Sequence, residues 1–313
     1  MGMKGYKGFR KGLICKGKQY AENTIFEESE ANICVNGMHF CKNPMDVLDY
    51  YPLIDNNGEM CEFSEVEAID ETLTNDEKKY CTKKLKIGAR LSLVEFIRAS
   101  FDVTYRQIKE ETDNVSEKEN VGDNATLAGG NGAKLAGGYG AKLAGGDNAT
   151  LAGGYGATLA GGYGAKLAGG NWAKLAGGDN ATLAGGDNAK LAGGNWATLA
   201  GGYNAKLAGG DNATLAGGNW ATLAGGDGAK LAGGYGAKLA GGDNATLAGG
   251  EHSIMVSENC SKAKGGIGSV VVMVERNDEG EIVNYKAIQI DGDTYKEETW
   301  YQLKDGEIKE AEE

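Results

Sequence analysis

Proline is nearly absent from this chain of 313 residues: Pro44 and Pro52 are the only two, both in the first sixth. Histidine is as scarce, with His39 and His252 alone, so a Cys–His catalytic pair in the first third would have to use His39. No apolar run approaches the ~20 residues that span a bilayer, which argues against a membrane protein. The opening "MGMKGYKGFRKGLICKGKQY" is basic but leads into no apolar stretch of the kind a secretory signal needs. Basic charge is also in deficit, with 32 Lys and Arg against 44 Asp and Glu and a net charge of −12. A sequence-independent nucleic-acid binder needs the opposite balance. Six cysteines are too few for a disulfide scaffold of this length. Reduced thiols and a cytoplasmic location are therefore expected, with release by lysis or within a particle compatible.

What the chain has in abundance is glycine, 53 residues of it. From Asp123 to Gly250 it reads as sixteen unbroken octads, [D/N/Y]-[N/G/W]-A-[T/K]-L-A-G-G. A helix is excluded, because two adjacent Gly cost about 2 kcal/mol per octad relative to Ala. A flexible linker would not return a leucine in register sixteen times. A solenoid of short strands does, because an eight-residue repeat preserves the two-residue alternation of a strand. Ala125 and Leu127 then face inward, and Asn124, Thr126 and Ala128 outward. The Gly-Gly pair is expected to turn the corner, where positive φ is needed and no side chain fits.

Odd and even octads differ. Tyr139, Tyr155, Tyr203 and Tyr235 fall in odd octads, whereas most first-position Asp fall in even ones. The asymmetry predicts 16 residues per coil and an all-β solenoid, a β-helix, of eight coils, roughly 38 Å long at 4.8 Å per rung. The four tyrosines would line one edge as an interface. The fourth position gives an outward threonine set: Thr126, Thr150, Thr158, Thr182, Thr198, Thr214, Thr222 and Thr246. Trp172, Trp196 and Trp220 fall at corners, read as corner packing or a protein contact, or as stacking platforms for a ligand.

The run "AGGYGATL" resembles the octapeptides of bacterial ice-nucleation proteins, aligned on Gly154-Tyr155-Gly156. The resemblance implies 16-residue coils and a water-ordering surface. The family's paired threonines are cut here to one, Thr158, with Ala160 in the second place, and half of the octads carry Lys at the first.

The flanks are not repetitive. Residues 1–113 read as a small α+β head domain and 114–122 as a linker. Helices are predicted for "NPMDVLDYY" (43–51), with Asn43 as N-cap, and for 92–111, with Ser92 and Glu95 as a capping box. Strands are predicted near 24–34, 60–69 and 83–91. "CVNGMHFC" brings Cys34, His39 and Cys41 together and, with Cys15, offers four soft ligands for a structural zinc ion, although the spacing is no standard zinc pattern. Buried thiols beside a hydrogen-bonded histidine are the simpler reading. The string resembles an uncharacterised phage and gut-bacterial family that pairs a C-x-x-G-F-H-x-C head with glycine-rich repeats. Cys34, Gly37, His39 and Cys41 match, and Met38 stands where that family has Phe. The resemblance implies no activity.

Residues 251–313 read as a β-hairpin C-terminal cap: a strand in "GIGSVVVMVE" (266–275), a turn at "NDEG" and a partner in "EIVNYKAIQI" (281–290). A stack of strands needs such an end, since an open edge recruits other chains. The whole predicts a non-enzymatic scaffold without cofactors, self-associating along its tyrosines. A water-ordering surface and an enzymatic or toxin-like head are the alternatives.

Overall fold

The computed structural model describes residues 2–33, 36–51, 61–74, 78–91, 95, 96, 99, 103 and 122–311. Two compact units emerge, Met1–Val103 and Thr104–Glu313.

In the first unit the strands are β1 (Met3–Phe9), β2 (Ile14–Cys15), β3 (Lys18–Gln19), β4 (Ile25–Glu27) and β5 (Met38–Cys41). A one-turn helix α1 (Pro44–Val47) follows, then β6 (Glu62–Ala68), β7 (Thr72–Thr74), β8 (Lys79–Thr82) and β9 (Lys84–Leu91). Seven of these make one antiparallel sheet, ordered β4-β9-β6-β1-β5-β8-β7. Among the described residues the head is thus a sheet with the short helix α1 and a few further helical residues, more β than helix. The basic, glycine-bearing start hides its central strand: Gly5 and Gly8 interrupt the apolar pattern, yet they let Phe40 and Tyr51 pack against the backbone, where a Cβ would sit 2.5 Å from either side chain. Phe9, Met38, Phe40, Leu85 and Ile87 form the core. The helix expected over 92–111 lies outside the described residues except for Glu95, Phe96, Ala99 and Val103, which are helical. Phe96 stacks on Phe63 with centroids 4.2 Å apart.

The second unit is a β-solenoid with 16 residues per coil. Strands of odd octads pair in parallel 16 residues apart, as Leu127↔Leu143↔Leu159. Even octads do the same in a second sheet, as Leu135↔Leu151↔Leu167. The alternating third and fifth positions stack Ala and Leu between the sheets, essentially without exposure from Ala141 to Leu247. Sixth-position alanines are exposed in the odd-octad sheet, whereas those from Ala136 to Ala232 are buried in the even-octad sheet.

The corners differ from the expectation in one respect. Positive φ falls on the second octad position, at Asn124, Gly156 or Trp172, and not on the Gly-Gly pair. The pair is required by space. A Cβ on Gly169 would sit 2.5 Å from Ala173 Cβ and 2.8 Å from Leu175 Cδ1; one on Gly154 would sit 2.8 Å from the Gly138 backbone of the coil below.

The coil also outlasts the octads. Ile254–Ser257 and Val270–Arg276 continue the odd-octad sheet in parallel, and Lys262–Lys264 the even one. Ten parallel strands on one side and nine on the other make about nine coils, where eight were expected. Ser253, Ser261 and Ser269 take the place of the third-position Ala, and Met255, Ala263 and Val271 that of Leu. The buried serine hydroxyls donate to main-chain oxygens, Ser253 to Gly250 at 2.8 Å and Ser261 to Gly242 at 2.9 Å. Each sheet then ends by reversing direction. Ile282–Gln289 pairs antiparallel with Val270–Arg276. Tyr301–Lys304 reverses beside Lys262–Lys264 and hairpins with Glu307–Glu310. Ile288, Ile290, Tyr301 and Leu303 close the leucine core. No helix among the described residues is long and apolar enough to cross a membrane.

Candidate functional site

Two places gather residues of chemical interest, a cavity in the head and one edge of the solenoid. In the head, β1 carries Lys7 through the middle of the sheet, 5% exposed. Its Nζ donates to the His39 carbonyl at 2.8 Å, lies 5.5 Å from the Phe9 ring centre and is close enough to the Cys15 thiol to feel its charge. Burial pushes the ammonium below the ordinary lysine value, and the Cys15 and Cys41 sulfurs counter this in part. The Tyr51 hydroxyl donates to Cys15 Sγ at 3.0 Å. Burial pushes the Cys41 thiol up to about 12, with Asp46 and Asp49 adding to the effect. Burial, followed by Lys7, Lys16 and Lys79, holds the His39 imidazole down at about 4. Both shifts favour the neutral forms, the reverse of what a thiolate–imidazolium pair needs.

Of the four soft ligands expected, Cys15, His39 and Cys41 line one cavity of about 440 Å³, together with Lys7. Cys34 lies outside the described residues. An ammonium among the sulfurs opposes a divalent cation, and no three His, Cys, Asp or Glu among the described residues are placed to hold a metal ion. Sequence reasoning missed Lys7; the available signal was a lysine at an alternating position of a strand, obscured by the glycines on either side.

On the solenoid the first and second octad positions form the corner turn. The third-position N–H closes it by donating to the last Gly of the preceding octad, as Ala157 to Gly154 at 3.3 Å. First-position Asp and Asn work as rungs of a ladder: Asp123 Oδ1 accepts from the Tyr139 N–H and Asn131 Oδ1 from the Asp147 N–H, both at 2.9 Å, one coil up. The second position is left-handed throughout, which suits Asn and Gly. It is a genuine outlier for Trp172, Trp196 and Trp220, at φ 64°, 60° and 61°. These tryptophans are exposed by 55%, 63% and 50%.

Tyr139, Tyr155, Tyr203 and Tyr235 lie on the odd-octad corner, 39–56% exposed. Tyr139 and Tyr155 stack at 5.4 Å with planes 3° apart. Tyr235 meets Trp220 edge-on at 5.4 Å and His252 at 5.2 Å. Trp172 belongs to the same corner, so the edge is aromatic, not tyrosine alone. The opposite corner carries Asp147, Asp179, Asp211, Asp227 and Asp243, together with two exposed aromatics, Tyr163 and Trp196. The eight threonines do not form one row. Thr126, Thr158 and Thr222 lie on the odd-octad sheet and Thr150, Thr182, Thr198, Thr214 and Thr246 on the other, each column interrupted by Lys.

Residues 3–99 match the family model of a domain of unknown function, DUF7666. No curated protein matches the chain. No solved structure matches it.

Proposed function

We propose that this chain is a non-enzymatic structural repeat protein whose solenoid is a stiff spacer and assembly scaffold, and that two copies pair along the aromatic edge. The observation that carries the scaffold reading is the unbroken 16-residue parallel register from Thr126 to Val270. Every rung is hydrogen-bonded to the next through strands and corners alike, which leaves little soft backbone along the axis. Two features support pairing on the odd corner. Six of its eight octads carry a half-exposed aromatic ring, the run being interrupted at Asp187, and aromatic residues are enriched at interface centres. The opposite corner presents five aspartates, which repel a like-charged copy.

Sedimentation velocity of the full chain at tens of micromolar is expected to give a dimer. Replacing Tyr139, Tyr155, Tyr203 and Tyr235 with Ser is expected to give a monomer with an unchanged β-rich circular dichroism spectrum. A wild-type monomer at high micromolar concentration sinks the pairing.

A further inference from the structure

The head contains a cavity that the scaffold reading leaves unused. We infer that it is a binding site for a small organic anion, a carboxylate or phosphate borne on a flat apolar body, with Lys7 as the buried cation that receives the charge.

The first argument is an imbalance of charge at Lys7. A buried ammonium is costly unless an anion accompanies it. The described neighbours of Lys7 are a carbonyl oxygen, a thiol and aromatic rings, and no carboxylate among the described residues pairs with it. An anionic ligand supplies the missing counter-charge. An ammonium has three N–H donors, and the His39 carbonyl accepts from one of them.

The second argument is the field of the wall. In a chain of net charge −12, Lys7, Lys16, Lys18 and Lys79 line this one cavity with a single lining carboxylate, Glu28, while Asp46 and Asp49 stand near enough to act on Cys41. Glu28 is itself paired with Lys18. Like-signed charges on low-dielectric walls concentrate the opposite ion.

The third is shape. A volume of about 440 Å³ falls within the range of small-molecule sites. The walls include Tyr20, Phe40, Tyr50 and Tyr51, which suit a flat ring. Lys79 Nζ stands 4.5 Å from the Tyr50 ring centre, so cation and ring present together to one ligand.

Isothermal titration of the full chain with 2-naphthoate and 2-naphthyl phosphate tests this, with the neutral 2-naphthamide and inorganic phosphate as controls. At least one of the two naphthyl anions is expected to bind one per chain. The neutral amide and inorganic phosphate are each expected to bind at least about tenfold more weakly, a difference of about 1.4 kcal/mol. Lys7→Met and the exposed Lys16→Ala are each expected to weaken the anion, and the double variant Trp172→Ala/Trp220→Ala to leave it unchanged. If Lys7→Met fails to fold, Lys16→Ala and Lys79→Ala decide. No binding of either anion up to about 1 mM, equal binding of the amide, indifference to the lysine variants, or loss in the tryptophan variant would each overturn the site. None of these outcomes bears on whether the solenoid pairs.

Discussion

At the residue scale the octad contains glycines of two kinds, and their substitution separates the causes. Gly169 faces the interior with no room for a methyl, so Gly169→Ala is expected to cost about 1–3 kcal/mol, as overpacking does. Gly156 is left-handed at φ 67° with nothing within 4 Å of a would-be Cβ. Asn holds the same position at Asn148 and Asn180, and Gly156→Asn is expected to fall within about 0.5 kcal/mol of neutral. Trp196→Asn should stabilise, since it removes a bulky side chain from a backbone that costs about 1–2 kcal/mol. Urea denaturation of the three variants gives the ranking; an equal cost for both glycine changes would defeat the distinction. The inward Ala125 and Leu127 were legible from the sequence because period two and period eight agree. The conformation of each corner residue was not, because glycine is compatible with both explanations and only the neighbouring coil chooses between them.

At the scale of elements, the exact octad stops at Gly250 but the coil does not. What keeps a rung in register is alternation, a left-handed corner residue and a small third position. His252 and Cys260 are left-handed at φ 55° and 54°, and Ser253 and Ser261 are small enough to replace Ala. Reading by identity ended the solenoid one coil early; reading by these three requirements would have continued it. The hairpin over 266–290 was visible from its turn and apolar strand. The reversal of Tyr301–Lys304 against Lys262–Lys264 was not, since a single bridge, Ala263↔Tyr301, carries it. Removal of 277–313 uncovers the backbone of Val270–Arg276 and the side chains of Val271 and Met273, otherwise buried in the core. That truncation is expected to convert discrete particles into end-to-end filaments visible by negative-stain electron microscopy. Particles of unchanged length would show that the hairpins are not what stops stacking.

At the scale of the whole molecule, acid should act first on the head. His39 is held at about 4 in the fold against about 6.5 in an unfolded chain. Between those values the unfolded state binds the proton and the folded state does not, so stability falls as the pH drops through that window and is indifferent to His39 above it. Burial sets the direction, and Lys7, Lys16 and Lys79 facing the imidazole add to it. Pulse proteolysis of the full chain, read on peptides of residues 3–91, is expected to show a lower urea midpoint at about pH 4.5, near the lower end of that window, than at about pH 7, above it. His39→Gln should remove most of the difference; a midpoint that falls equally in the variant assigns the acid sensitivity elsewhere. The cavity around His39 was half legible: the Cys15, His39 and Cys41 cluster drew attention to it, while its cation was concealed in a strand that composition alone presents as a basic tail.

The strict phase of two octads per rung sets what the chain can become. Excising sixteen residues shortens the rod by one step of about 4.8 Å and leaves every ring and carboxylate on its own side. Excising eight transposes the faces beyond the cut, moving Tyr203 and Tyr235 among the aspartates. Length can therefore drift by whole turns at little cost, as on a notched ruler, whereas half-turns scramble the surface.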